Sequence, residues 1–379
     1  MKVKQLELTN YRNYVNQSLD FSDHINIFIG NNAQGKTNLL ESLYVLAMTK
    51  SHRTHNEKEL VHEGDSQAKI SGTIERRLGN LSLEIDISNK GRKTKVNGLE
   101  QSKLSQYIGQ LNAVLFSPED LSLVKGSPNL RRKFVDMDLG QINPIYLHYL
   151  SQYRAVLKQR NYYLKHQSHS IDETYLDVLD EQLVQYGSSV IQLRAQFIQH
   201  LSEKAAVLHS NISSHHEQLT IRYVGNVSCE TLTDLQSIKA TFLQKLKESR
   251  QRDLMQKMTT AGPHRDDLQF LINDKDVRIY GSQGQQRLTV LSMKIAEIDV
   301  MEEETGEYPI LLLDDVMSEL DNERQLKLMQ TIEDKVQTFI TTTTLEHLPR
   351  DMKVNPTIFK VDSGCVVEEK EGQTDDGRE

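Results

Sequence analysis

Gly30-Asn31-Asn32-Ala33-Gln34-Gly35-Lys36-Thr37 is the stretch whose reading decides the fold. It fits the pattern Gly-x-x-x-x-Gly-Lys-Ser/Thr without a mismatch, directly after the apolar run Ile25 to Ile29 and directly before a helical pattern from Lys36 to about Met48. Composition alone produces such a string in about one chain in a hundred of this length, and the strand before it and helix after it reduce that chance further. Glycines are needed because the loop wraps its own backbone N–H groups around phosphate, an approach that side chains would block. Gly30, Asn31, Asn32, Ala33, Gln34 and Gly35 form the cradle. Lys36 reaches the β and γ phosphates, Thr37 lends its hydroxyl to Mg²⁺, and the helix start adds a favourable dipole. ATP and Mg²⁺ are the expected ligands.

The chain is organised around this loop. Strand patterns occupy Lys2 to Leu8, Tyr14 to Phe21, Ala68 to Glu75, Ser82 to Ser88, Lys93 to Val96 and Leu111 to Phe116, with a hairpin turn at Asn97-Gly98. Ser127-Pro128 has the N-cap and first-turn pair that starts a helix through Arg131 and Phe134. From Asn143-Pro144 to about Met258 the pattern is helical. There Leu176, Leu179, Leu183, Tyr186, Val190, Leu193 and Phe197 recur three or four residues apart, a stripe that faces another helix. A helix of about 30 residues spans roughly 45 Å, and a strand at Ile221 to Val224 argues for a compact lobe. Beyond Gly262-Pro263, strands are expected at Leu268 to Ile272, Val277 to Tyr280, Ile310 to Leu313 and Gln337 to Thr341, and helices at Gly284 to Glu303 and Asn322 to Val336. Strand and helix alternation at both ends predicts an α/β P-loop ATPase head made from both termini. Residues 1–140 and 260–366 form the head, 141–259 an inserted helical arm, and 367–379 an acidic disordered tail.

Ile310-Leu311-Leu312-Leu313-Asp314-Asp315 reads as a buried strand ending in two carboxylates. Beside a phosphate loop this is the Walker B element: Asp314 holds Mg²⁺, and Asp315 orients or deprotonates the attacking water. Just upstream, Gly281-Ser282-Gln283-Gly284-Gln285-Gln286-Arg287 puts a hydroxyl and backbone N–H groups at a helix start, which suits phosphate. Taken alone, that string is equally a turn before a helix.

Together these strings resemble the ABC-type ATPases. Within that class the chain resembles the RecF family, related to the heads of SMC proteins. The resemblance rests on GNNAQGKTNLLE (Gly30 to Glu41), GSQGQQR (Gly281 to Arg287) and LLLDDVMSELD (Leu311 to Asp321), whose end is like a D-loop. FSPEDL (Phe116 to Leu121), RRKFVD (Arg131 to Asp136) and GPHRDD (Gly262 to Asp267) complete the set in the same order. The likeness implies an ATP sandwich in which Ser282, Gly284 and Gln285 of one subunit contact nucleotide on another, hence an ATP-dependent homodimer. It also implies Arg12 near the nucleotide, with Ser51-His52-Arg53-Thr54 a second candidate segment. DNA binding at single-strand gaps or junctions, RecO and RecR as partners, recombinase loading and SOS induction follow from the family. Two departures from the wider class stand out. Asp315 replaces the usual Glu, a feature RecF proteins share, and implies slow hydrolysis; and Thr341-Thr342-Thr343-Thr344 replaces the switch His, with Thr343 the candidate. Transporter nucleotide-binding subunits share these motifs but lack the long helical insertion. A small-molecule kinase predicts no GSQGQQR loop, and a scaffold with structural nucleotide predicts no effect of Lys36 or Asp315 substitutions on DNA retention.

Composition narrows the field. Among 379 residues, 37% are hydrophobic and no apolar run approaches the roughly 18 residues of a spanning helix, so no membrane span or signal peptide is expected and the location is cytoplasmic. Cys229 and Cys365, the only two cysteines, are too few for a disulfide framework or a four-sulfur zinc site. The net charge of −8 opposes coating of nucleic acid by bulk charge, yet half of it lies in the tail beyond Cys365. Local basic clusters therefore remain as DNA-backbone candidates: Lys93 and Lys95 with Lys90 and Arg92, and Arg131, Arg132 and Lys133. No base-reading module is evident in the sequence, which favours recognition of DNA shape or of junctions over sequence.

Overall fold

Alternating burial along Gln67–Arg76 and Gly79–Ser88 gives each of these strands one apolar face, and they pair accordingly. The computed structural model describes residues 1–166, 172–213, 216–229, 231–317, 321–332, 335–345 and 355–369. The chain forms two compact units, Met1–Glu119 with Met301–Glu379, and Asp120–Val300. Residues 120–140 and 260–300, assigned to the head from sequence, group with the helices in this division.

The first unit begins with β1 (Lys2–Tyr11), β2 (Tyr14–Asp20), β3 (Ile25–Ile29) and α1 (Lys36–Met48). Then come β4 (Gln67–Arg76), β5 (Gly79–Ser88), β6 (Gly91–Val96), β7 (Leu99–Glu100) and β8 (Ala113–Phe116). An antiparallel sheet runs in the order β2-β1-β4-β5-β6-β7. In β4, Ala68, Ile70 and Ile74 are buried, and Ile70 stands opposite Leu8 of β1 and Ile85 of β5. Asn97 and Gly98 close β6 onto β7 with φ of 50° and 78°, the left-handed pair that a two-residue hairpin requires.

The second unit contains α2 (Leu121–Lys125), α3 (Pro128–Ile142), α4 (Pro144–His166), α5 (Glu173–Ile212), β9 (Leu219–Val224) and α6 (Leu235–Gln256). β10 (Asp267–Ile272), β11 (Lys275–Asp276), α7 (Val277–Tyr280) and α8 (Gln283–Thr305) follow. α5 runs for 40 residues, about 60 Å, and so exceeds the length expected from the sequence. Its expected stripe is buried at Leu176, Leu179, Leu183, Val190 and Phe197, while Tyr186 and Leu193 are half-buried. Ile191, Ile198 and Leu201 widen the buried face beyond a two-per-heptad seam, as packing against α4, α6 and β9 demands. Arg160 lies in this helical core with both Asp180 and Asp253 at 2.7 Å. The expected strand at Val277 to Tyr280 is corrected: Asp276 accepts from the backbone N–H of Arg278 and caps a helical turn there, ending the hairpin at β11. The β-branched Val277 and Ile279 suggested a strand, and the cap overrides them.

The chain returns to the first unit with β12 (Ile310–Asp314), α9 (Asn322–Ile332), β13 (Thr338–Thr342), β14 (Thr357–Asp362) and β15 (Cys365–Glu369). The second sheet runs β15-β14-β3-β13-β12-β8, parallel except for β15. Every residue of β12, β13 and β8 is buried, the continuous pattern of a covered parallel sheet. Eleven of the thirteen α1 residues are buried, because α1 contacts β4 and β5 of the antiparallel sheet and β8, β12 and β13 of the parallel one. Gln337 joins the two chain ends: its amide accepts from Val3 N and donates to Val3 O and Ser22 O. Residues 367–369, placed in the tail from composition, end β15. The remaining tail, 370–379, and residues 318–320 of the expected D-loop lie outside the described residues. Among the described residues no helix is long and apolar enough to cross a membrane.

Candidate nucleotide-binding site

β3 leads into the phosphate loop, and the loop is held from outside. A Cβ on Gly30 would stand 2.2 Å from the Val361 carbonyl oxygen, so only glycine fits beside β14. Gly35 has φ of 119°, and its carbonyl accepts from the Tyr14 hydroxyl at 2.9 Å. Asn13 donates to the Gln34 carbonyl at 3.0 Å, and the Gln34 side chain accepts from Ser363 N at 2.7 Å. Lys36 donates through Nζ to Gly30 O at 2.6 Å and Asn31 O at 2.8 Å, which lays its ammonium across the loop. Burial lowers the Lys36 pKa, and the carboxylates of Asp315 and Asp314 oppose that shift.

A cavity of about 290 Å³ opens over this loop, lined by Asn32, Ala33, Gly35, Lys36, Thr37, Asn38, Arg53, Asp315, Thr341 and Thr343. β12 and β13 are parallel neighbours that bring Asp314 opposite Thr341. The buried Asp314 accepts through Oδ1 from Thr37 at 3.0 Å and from Thr341 at 2.8 Å. Oδ2 of Asp314 has no bond among the described residues. A hydroxyl beside a carboxylate with an open oxygen is a hard donor set that fits Mg²⁺. Thr341 also accepts from Asp315 N at 2.9 Å, and Asp315 has φ of 54°, a left-handed conformation uncommon for a residue with a Cβ. One threonine thus bonds the carboxylate of Asp314 and the backbone of Asp315. Of the four threonines, Thr341 and Thr343 line the cavity; Thr342 is buried and donates to Thr344 O.

Arg12 does not line this cavity. Its guanidinium donates to both oxygens of Glu41 at 2.8 and 2.7 Å, and Glu41 also accepts from Ser51 and from the Tyr11 hydroxyl. Glu41 is fully buried on α1, and its pKa is lowered because the bonds from Arg12 and Ser51 outweigh desolvation. The Ser51 to Thr54 segment reaches the site through Arg53, which lines the cavity and donates to Asn38 at 2.8 Å. Asn38 in turn donates to Asn13. Sequence reasoning missed Asn13, Asn38 and Glu41. Only Glu41 carried a signal, as a charged residue on an otherwise apolar helix. His52 packs edge-on to Tyr44, with burial lowering its pKa and both ring nitrogens without hydrogen-bond partners.

The signature loop lies in the other unit. Exposed Ser282 accepts from Gln285 N at 3.2 Å, and the Gln285 side chain accepts from Ser282 N at 2.9 Å. This capping box starts α8 and leaves the Ser282 hydroxyl proton available for an anion. Gln285 spends its amide on Glu217, while Gly284 lies in the first turn of α8.

The basic candidates separate by burial. Arg131 is buried, with its guanidinium bonded to both Asp267 oxygens and to the carbonyls of Leu123 and Gly126. The expectation that it meets DNA is corrected, since its donors are used inside the unit. Arg132 is half-buried and donates to Asp266 O, and Lys133 is exposed. Lys93 pairs with Glu100, and Lys95 with Glu84 and Asp86, so acidic neighbours on the sheet compensate both.

Residues 2–367 match the family described as the RecF/RecN/SMC N-terminal domain. The DNA replication and repair protein RecF of Enterococcus faecalis is 57% identical over 369 residues, covering 97% of this chain and 98% of that protein. Its counterpart in Streptococcus agalactiae is 53% identical over 378 residues, covering 99% and 100%. The solved ATP complex of the recombination mediator protein RecF of the RecFOR pathway superposes with a TM-score of 0.90 at 34% identity, covering 97% of each chain. An Smc head bound to the C-terminal winged-helix domain of ScpA shares the fold, with a TM-score of 0.55 at 15% identity over 97% of each chain. The chain belongs to the RecF/RecN/SMC family, has the ABC/SMC-type ATPase head with an inserted helical arm, and falls with the RecF proteins within that family.

Proposed function

We propose that this chain is a DNA replication and repair protein that binds ATP with Mg²⁺ and uses it as a switch for holding DNA. The observation that carries the proposal is the Thr37–Asp314–Thr341 cluster beneath the P-loop cavity, with Asp315 fixed at its rim. Lys36 and the backbone N–H groups of Gly30 to Gly35 would hold the β and γ phosphates, and Thr37 and Asp314 would hold Mg²⁺. When bound, Mg²⁺ neutralises phosphate charge. Asp315 orients or deprotonates the attacking water, and its short side chain suits slow turnover. Ser282 and Gly284 of a second copy complete the site from the start of α8. Nucleotide thereby closes a homodimer on DNA, and hydrolysis releases it. Arg12 acts through Glu41 and the Ser51 segment, behind the site.

The relatives' names support work in DNA replication and repair, and the RecFOR context supports gapped or junction DNA as ligand and RecO and RecR as partners. Recombinase loading and SOS induction are the cellular roles this reading assigns, in the cytoplasm. Sedimentation velocity with ATP and Mg²⁺, with and without gapped duplex, tests it on wild type and Lys36→Ala. A nucleotide-dependent dimer retained on DNA and lost in the variant is expected. A monomer indifferent to both ligands overturns the switch.

A further inference from the structure

The second unit sorts its charges in one direction around Pro263–Arg265, the 3₁₀ turn inside GPHRDD. Four carboxylates of this region are taken up by partners within the unit, while Glu248 on α6 is exposed. Asp253 is bound by Arg160 at 2.7 Å, Asp267 by Arg131 at 2.6 Å and Asp136 by Arg194 at 2.7 Å. Asp266 is buried and accepts from Tyr223 and from Asn226 N. All three of those arginines are themselves buried.

Arg252, Lys257 and Arg265 are exposed and Arg132 is half-buried, and among the described residues none of these four pairs with a carboxylate, whereas Arg154 pairs with Asp136 and Arg250 with Asp177 and Asp180. Arg252 donates to the Thr260 hydroxyl at 3.1 Å, and Arg265 donates to Thr259 O at 3.4 Å, so both guanidinium groups meet at one turn. Exposed Lys257 ends α6 with φ of 55° in the same turn. Arg132 reaches it from α3 through Asp266 O at 2.7 Å, and the exposed Lys133 follows Arg132 in sequence. His264 registers the same field: burial chiefly lowers its pKa to about 4, and Arg265 and Arg132 add to that shift. Met255 and Met258 are exposed among these cations.

We propose that Arg132, Lys133, Arg252, Lys257 and Arg265 form a surface that receives the phosphate backbone of duplex DNA. This rests on the DNA-binding reading above and assigns it a surface. The dipole at the C-terminus of α6 accounts for Arg252 and Lys257 but not for Arg265 or Arg132, which lie on other elements. Unpaired cations held on one turn repel one another, so the arrangement stores affinity for a repeating anion. Backbone contact of this kind reads shape and position and carries no sequence code.

Fluorescence anisotropy of a labelled duplex across a salt series tests the surface in the full-length protein. The combined Arg252→Ala, Lys257→Ala and Arg265→Ala variant is expected to bind at least about tenfold more weakly at about 100 mM salt, with the log–log salt slope shallower by about 2 to 3. Its ATP binding stays at the wild-type level. Arg252→Lys with Arg265→Lys keeps the charge and restores the slope, whereas Lys93→Ala with Lys95→Ala, taken from compensated pairs, leaves it unchanged. An alanine variant with wild-type slope and affinity overturns the surface alone. Wild-type protein that binds no duplex at any salt overturns the DNA reading, and the surface with it. Displacement of bound duplex by polyglutamate at equal charge concentration points to an acidic protein partner and also overturns the assignment.

Discussion

Replacing Thr341 with valine separates the hydroxyl from the shape. The side chain is 1% exposed, and valine matches its volume. The hydroxyl donates to the Asp314 carboxylate at 2.8 Å and accepts from Asp315 N at 2.9 Å. A bond to a charged group contributes about 1.5–3 kcal/mol and a neutral backbone bond about 0.5–1.5 kcal/mol, so Thr341→Val is expected to destabilise by about 2–4 kcal/mol. The functional loss is separate. Asp315 adopts a left-handed conformation while its backbone N–H donates to this hydroxyl, and losing the bond is expected to displace the residue proposed to act on water. A displacement of about 1 Å costs on the order of a hundredfold in rate. Urea denaturation at neutral pH and single-turnover ATP hydrolysis read the two effects, and Thr341→Ser keeps the hydroxyl and is expected to recover both. If Thr341→Val melts at the wild-type urea concentration and turns over ATP at the wild-type rate, the reasoning fails. If Thr341→Ser behaves like the valine variant, the methyl group rather than the hydroxyl supports the site.

The strain at Asp315 gives a second test. Asp315→Gly relieves the left-handed conformation (φ of 54°) and is expected to stabilise the chain by about 1 kcal/mol while abolishing ATP turnover; loss of both stability and turnover would contradict the strain argument. His264 gives a third. Its Nδ1 lies 2.6 Å from the Tyr153 hydroxyl and its Nε2 3.0 Å from Thr259 O, a carbonyl that can only accept, so the ring carries its proton on Nε2. Burial depresses its pKa from 6.5 to about 4, so the unfolded state takes up a proton that the folded state refuses. Its contribution to stability is therefore full above pH 6.5 and falls, by on the order of 3 kcal/mol, as the pH drops from 6.5 to 4. His264→Gln retains a donor and an acceptor and is expected to flatten that part of the urea-midpoint profile; identical profiles for the two proteins would refute the assignment.

The parts of this molecule that were legible in its sequence are those set by short-range rules. The P-loop, the apolar run before Asp314, the Asn97-Gly98 turn and the prolines that open α3 and α4 each depend on residues a few positions apart, and local chemistry specifies each completely. Pairings across the chain were not legible. Arg131 and Lys133 belong to the same basic run, yet Asp267, 136 residues away, draws Arg131 into the interior and leaves Lys133 outside. Val277 to Tyr280 had the composition of a strand until the neighbouring Asp276 capped it as a helix. The same distinction explains the site. Lys36, Thr37, Asp314 and Asp315 were identified because their motifs are contiguous. The partners that hold the loop and the carboxylates reach the site from other parts of the chain: Asn13 of the β1–β2 turn donates to Gln34 O, Val361 of β14 lies against Gly30, and Thr341 of β13 bonds Asp314 and the Asp315 N–H. A motif names the atoms that face nucleotide, and the tertiary fold supplies the partners that fix them. Function therefore depends on residues far from any motif, and Thr341, in the run of four threonines that stands in place of the switch His, bonds the Asp314 carboxylate and the Asp315 backbone N–H of the Walker B element.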